Sequence, residues 1–133
     1  MNLIETFNSF YVSMESLSMN KIIVIALSMF LFSSQVVALG SVKEAKITHI
    51  RVDNNGRAMI YFDKRLEGSP ASCTHSAYRN VLAIDASTEG GKAVLSMALA
   101  AKTSQNLVTA YGYGFCGVYG GSVAETWNHG FML

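Results

Sequence analysis

The segment Cys73–Cys116, CTHSAYRNVLAIDASTEGGKAVLSMALAAKTSQNLVTAYGYGFC, decides how the chain folds. It holds a strand-like run (Tyr78–Ala86), a helix-like run (Gly91–Ser104) and a second strand-like run (Leu107–Gly112). The only two cysteines of the chain bracket all three. Val81-Leu82-Ala83-Ile84 is a short apolar run bounded by polar residues, which reads as a strand with a buried face. Ser87-Thr88-Glu89-Gly90-Gly91 turns the chain; Ser87 or Thr88 can cap the helix that follows, and Glu89 suits its positive end. Lys92–Lys102 is rich in Ala, Leu and Met, strong helix formers. Val94, Leu95, Ala98, Leu99 and Ala101 form the expected core stripe. Met97 and Ala100 leave the opposite face thinly polar, so the helix is either buried on more than one side or meets a second subunit.

Upstream, Lys46–Val52 alternates at strand period, with Thr48, Ile50 and Val52 on one face and Ile47, His49 and Arg51 on the other. Asp53-Asn54-Asn55-Gly56 follows, and Arg57–Asp63 alternates again. Asn-Gly between two such runs is a strong hairpin signal, because the turn needs residues that tolerate positive φ. Leu66–Ser72, with Gly68 and the sole proline, Pro70, reads as a loop. Downstream, Gly112–Gly121 interleaves glycine with Tyr113, Phe115 and Tyr119, and Val123–Phe131 closes the chain as a strand with Glu125, Trp127 and His129 on one face.

The order strand, strand, strand, helix, strand, strand predicts a mostly β domain with one helix, in the form of an OB-fold-like five-stranded barrel. The alternative is a small α+β sheet with one covering helix.

Ile22–Phe32 is apolar, Lys21 precedes it, and Ser33, Ser34 and Ala38 follow. That layout is an export signal, with Val36 and Ala38 placing cleavage after Ala38. The run falls short of the ~20 residues a membrane span needs; a retained anchor is the alternative reading. Residues 1–18 carry Glu5 and Glu15 but no Lys or Arg, so Met19-Asn20-Lys21 reads as the better start and 1–18 as an unstructured start-site extension. The expected organisation is therefore 1–18 extension, 19–38 signal and 39–133 a single domain, secreted or periplasmic and free of the membrane once the signal is cut.

The 39–133 segment carries nine basic and seven acidic side chains, a net charge of +2, interspersed in sign. Nucleic acid is not an expected partner, because phosphate neutralisation needs a clustered basic face. In an exported domain Cys73 and Cys116 are expected to pair. The sharper alternative makes Cys73 a nucleophile with His75 as its base.

A signal peptide, an early Cys, a helix GGKAVLSMALAAKTSQ, a strand LVTAYGYG and a following Cys resemble the B (binding) subunits of subtilase-type AB5 toxins, over roughly residues 57–120. The resemblance implies an OB-fold, assembly into a homo-pentamer with helices lining the centre, and binding of cell-surface glycans. It transfers no binding residue, since the sugar-contacting positions have no match here.

Residue types independently nominate a ligand face. A pyranose offers an apolar side to aromatic rings and hydroxyls to polar side chains. Tyr111, Tyr113, Tyr119 and Trp127, with Glu125 and Asn128, supply both. His49, His75 and His129 have no metal-ligand spacing, so no metal or other cofactor is expected. Nothing pairs Asp63, Asp85 or Glu125 for hydrolysis, and no helix pattern opens after Gly112, Gly114 and Gly117 to make a phosphate loop. The function expected is binding without catalysis: a glycan-binding, toxin-B-like module, or a monomeric envelope protein that binds another protein in a structural or inhibitory role.

Overall fold

A computed structural model describes residues 39–133; the expected extension and signal lie outside the described residues. The strands are β1 (Gly40–Ala45), β2 (Ile47–Val52), β3 (Arg57–Phe62), β4 (Glu67–Gly68), β5 (Val81–Asp85), β6 (Val108–Gly112) and β7 (Glu125–Met132). One α-helix, α1, spans Glu89–Ser104, and a 3-10 turn covers Ser76–Tyr78.

The strands make a seven-stranded sheet ordered β2-β3-β5-β7-β6-β1-β4. Every pairing is antiparallel except β5 with β7. The mostly β class with one helix is as expected, and the OB-fold-like five-stranded barrel is corrected to an open seven-stranded sheet. The physical reason lies at Lys46. One long extended run breaks there into β1, which pairs with β6, and β2, which pairs with β3. The two parts are joined by the chain and not by a ladder, so the sheet curls toward this corner without closing.

The corner is held by polar contacts. Glu44 adopts a positive φ of 48°, unusual for a side chain with a Cβ. Its N–H donates to Thr109 Oγ1 at 3.2 Å, and Lys64 Nζ donates to the carbonyls of Lys43 and Glu44 at 3.1 and 2.8 Å. Lys46 N–H donates to Asp63 Oδ1 at 2.9 Å while Asp63 N–H donates back to the Lys46 carbonyl at 3.0 Å. β1 was not legible as a strand, because Gly40–Ala45 lacks clean alternation and its partners lie far along the chain.

The Asp53–Gly56 hairpin forms as its sequence predicts, with Gly56 at φ 84° and Gly56 N–H donating to the Asp53 carbonyl at 3.0 Å. In β2 the pairing slips between Ile47 and His49, leaving Thr48 as an extra residue. Ile47 and Ile50 therefore both turn to the core, instead of occupying opposite faces.

The helix begins two residues before the expected Gly91. Thr88 is its cap: Thr88 Oγ1 accepts from Gly91 N–H at 3.0 Å and donates to the Asp85 carbonyl at 2.8 Å. A Cβ on Gly91 would collide with the Asp85 carbonyl, so glycine is required where strand β5 meets the helix. Ala98 and Ala101 are buried, and Val94, Leu95 and Met97 pack against the core. Leu99, placed in the stripe by pattern, is exposed, and Met97 takes its place. Lys102 bonds the Thr48 carbonyl through Nζ at 2.6 Å, tying the last turn to β2.

The main core lies between sheet and helix: Val42, Ile47, Ile60, Phe62, Leu82, Ile84, Val108 and Trp127 among others. A second cluster, Met59, Val81, Ala83 and Ala124, lies on the other face of β3 and β5, beneath Tyr61, Tyr78, Val118, Tyr119 and Val123. The central strands are thus buried on both faces, which is why Val81–Ile84 reads as a continuous apolar run.

Cys73 and Cys116 form a disulfide across a separation of 43 residues. It excludes the nucleophile reading of Cys73, since no free thiol exists. The bond staples the segment before the 3-10 turn to the loop after β6, the two segments that cover the second cluster. Replacing both cysteines by serine is expected to lower unfolding free energy by about 2–4 kcal/mol. Urea unfolding of the oxidised protein against the double variant measures the difference; equal midpoints and slopes would show that the cross-link adds nothing.

Candidate functional site

Two adjoining hollows lie between α1 and β7 and together form a groove. The first, about 370 Å³, is lined by Ile84, Asp85, Thr88, Tyr113, Thr126, Trp127 and Asn128 among others. The second, about 320 Å³, is lined by Ala93, Val94, Met97, Trp127, Asn128, His129 and Gly130. Trp127, Asn128 and Val94 belong to both.

The groove exists because β5 leaves β7 early. Only Leu82 and Ala83 of β5 pair with β7, at Glu125 and Thr126. Beyond Asp85 the chain turns into the helix at Thr88, so on the edge of β7 away from β6 it is α1 rather than another strand that adjoins Trp127–Gly130.

A bulge in β7 shapes the wall. Tyr111 pairs with His129 and Gly112 with Trp127, which leaves Asn128 as the extra residue. Bulges re-aim side chains and are frequent near binding sites. Here the bulge places Asn128 at the junction of the two hollows. It also reverses the facing downstream: His129 no longer shares a face with Trp127 but stacks on Tyr111, ring centroids 4.7 Å apart.

Of the six ligand residues nominated from sequence, Tyr113, Trp127 and Asn128 meet at the groove. Tyr113 is 48% exposed and lies beside Phe115, 51% exposed, with ring centroids 5.4 Å apart. They form an aromatic ledge at one mouth. Trp127 is only 5% exposed; its ring packs on Phe62 at 6.3 Å, and its indole N–H is buried with no hydrogen-bond partner. Asp85, Thr88 and Thr126 join them as polar lining that sequence reading missed. No local spacing marks those three; only the β5-to-α1 turn brings them opposite β7.

Tyr111, Tyr119 and Glu125 are placed elsewhere. Tyr111 stacks on His129. Tyr119 donates its hydroxyl to Asp53 Oδ2 at 2.8 Å, under the guanidinium of Arg57 at 5.7 Å from its ring centroid. Burial first, and then the hydrogen bond given to Asp53, push the Tyr119 hydroxyl above the ordinary tyrosine range. Asp53 also accepts from Arg51 Nε at 2.7 Å.

Glu125 is fully buried and serves the backbone. Oε1 accepts from Gly40 N–H at 3.2 Å and Gly114 N–H at 2.7 Å, and Oε2 accepts from Ala71 N–H at 2.9 Å. A Cβ on Gly40 or Gly112 would fall directly on this carboxylate. One side chain thus ties β1, the segment after β4 and the turn after β6 to β7.

Cys73 and Cys116 are consumed by their bond. Among the described residues no group of three or more His, Cys, Asp or Glu side chains gathers for a metal ion, and no helix is long and apolar enough to cross a membrane. Comparison with protein-family models, with curated proteins and with solved structures returns no match. The fold and groove therefore define a class only by architecture: a disulfide-linked, mostly β domain with one helix and a helix-to-strand groove.

Two outcomes are expected from this geometry. Glu125→Ala orphans three backbone donors, and each buried donor left without a partner costs about 1–3 kcal/mol. The variant should unfold far earlier in urea than the parent, and an unchanged midpoint would remove Glu125 from its structural role. Asp53 is the second case. The hydrogen bonds from Tyr119 and Arg51 hold its carboxyl below the ordinary aspartate value of 3.8. Because the folded value is depressed, its contribution is complete above that value and is lost as pH falls below it. Asp53→Asn should flatten the acid limb of the stability profile below the ordinary aspartate value; an identical limb in both proteins refutes the assignment.

Proposed function

We propose that this protein is an exported, non-catalytic binding module whose groove between α1 and β7 receives a glycan. The observation that carries this reading is convergence: Tyr113, Trp127 and Asn128, nominated by chemistry alone, line one hollow with Thr88, Asp85 and Thr126. The exposed Tyr113 ring, with Phe115 tilted beside it, supplies an apolar surface for a pyranose, and the hydroxyl, amide and carboxylate groups beside it supply partners for sugar hydroxyls.

Export is supported by the signal-like segment and by a disulfide, which persists in oxidising compartments. We read the open sheet as OB-like in its connectivity. The parallel β5–β7 pair and the helix between β5 and β6 support that reading. A toxin-B-like ring of five copies belongs to the same proposal. A second reading, a protein partner in the cell envelope, is favoured by the exposed tail Phe131-Met132-Leu133 (49%, 41% and 54% exposed).

The test is a glycan screen followed by Tyr113→Ala. Stacking on one aromatic ring is worth about 0.5–1.5 kcal/mol, so about a two- to ten-fold loss of affinity is expected. Because Tyr113 is half exposed, its removal should leave the melting temperature within about 4 °C. Unchanged affinity would take the ledge out of the site, and a screen without any glycan hit would favour the protein partner.

A further inference from the structure

The loop after β6 is dense in glycine, and its glycines answer different demands. Gly114, Gly120 and Gly121 sit at positive φ, 79°, 72° and 90°. Gly117 lies outside that region, so its backbone would accept a side chain without strain. What keeps a side chain out is a neighbour. A Cβ on Gly117 would lie 2.8 Å from Phe115 Cε2 and 3.3 Å from Phe115 Cδ2. One edge of the Phe115 ring therefore rests on the bare Gly117 backbone.

Gly117 is itself held in place. Its N–H donates to Thr126 Oγ1 at 2.8 Å. Thr126 also accepts the Tyr113 N–H on its carbonyl and donates its own N–H to the Phe115 carbonyl, each at 2.9 Å. Tyr113–Gly117 is thus wrapped around a single residue of β7, and that residue pairs with Ala83 of β5. The Phe115 ring has two supports: Gly117 under one edge, and the Tyr113 ring beside it, tilted by 38° with centroids 5.4 Å apart. Phe115 is 51% exposed all the same, so its position owes little to burial. An exposed ring without such supports samples several rotamers, and ordering it on binding subtracts from affinity.

We propose that Gly117 is a positioning residue of the groove, an inference that rests on the glycan reading of the same site. It lines neither hollow and acts through Phe115. By lacking a Cβ it lets the Phe115 ring lie down beside Tyr113, so the two-ring ledge is assembled before a sugar arrives. A methyl at 117 cannot retreat, because the Gly117 N–H is tied to Thr126, which is fixed in the sheet. The ring must swing away instead, and the ledge loses one of its two faces.

The test uses the purified protein in its oxidised form, with Gly117→Ala, Phe115→Ala and the double variant, each titrated with cellotriose by calorimetry. The all-equatorial rings of cellotriose present flat apolar faces to an aromatic ledge. Gly117→Ala should bind about two- to ten-fold more weakly than the parent, the value of one aromatic contact. Its melting temperature should stay level or rise, because alanine at an ordinary φ restricts the unfolded chain. Phe115→Ala should lose a similar factor, and the double variant no more than either, since Gly117 acts only through that ring. Without sugar, nuclear Overhauser contacts between the Tyr113 and Phe115 rings should weaken in Gly117→Ala. Unchanged affinity, unchanged ring contacts, losses that multiply in the double variant, or a melting temperature that falls in step with affinity each overturn the inference. A parent protein that ignores cellotriose overturns it too, because the ledge then fails to stack a plain pyranose. The glycan reading of the groove falls only if the whole screen fails.

Discussion

The carboxylate of Glu125 has no access to solvent, and three backbone N–H groups converge on it. Burying a charge is costly unless its lone pairs are satisfied. Here the donors come from Gly40, Ala71 and Gly114, at or just beyond the ends of the ladders that pair β1 with β4 and β6, and β6 with β7. Glycine at 40 and 112 is what lets the backbone close on the carboxylate, since a Cβ at either position would occupy its space. The start of β1, the segment bearing Cys73 and the turn leading to Cys116 are therefore all referred to one point on β7.

The groove follows from that arrangement. With Glu125 and Thr126 paired to β5, and the chain of β5 turning at Asp85 into a helix capped by Thr88, the remainder of β7 has a helix as its neighbour. A helix and a strand do not mesh along their length as two strands do, and the gap between them is lined by whatever each presents. The bulge at Asn128 then decides what β7 presents: Trp127 inward against Phe62, Asn128 at the junction of the two hollows, and His129 stacked on Tyr111 at the edge of the second hollow. The disulfide and the Asp53–Tyr119 bond work on the opposite face, where they hold the loops that cover Met59, Val81 and Ala83. Val118 belongs to both, covering the second cluster and lining the first hollow.

The element types were largely legible in the residues. Asn55-Gly56 announces the hairpin because its turn needs positive φ, and the Ala, Leu and Met run announces α1 by propensity. The cysteine pair follows from an export-like leader. What escaped was long-range. β1 looks featureless because its partners, β6 and β4, are distant in sequence, and the two-residue β4 has no pattern to detect. Leu99 and Met97 exchanged roles because the composition of the helix is apolar nearly all round, so pattern alone could not orient it. Single-residue slips at Thr48 and Asn128 reversed facings that strict alternation had assigned.

The candidate site divides along the same line. Aromatic rings with polar neighbours between Tyr111 and Asn128 could be nominated from residue chemistry, since that depends only on composition within a short stretch. Which of them face one another depends on where strands separate and where a bulge falls. Those are outcomes of packing and of backbone hydrogen bonding across the sheet. Glu125 illustrates the limit: nothing local distinguishes a carboxylate that meets a ligand from one that satisfies three buried amides. Local chemistry therefore established most of the elements, the expected cysteine pairing and a pool of candidate ligand residues. The order of strands, the open curl at Lys46, the burial of Glu125 and the convergence of Tyr113, Trp127 and Asn128 were settled by tertiary contacts, because each requires groups far apart in the chain to meet.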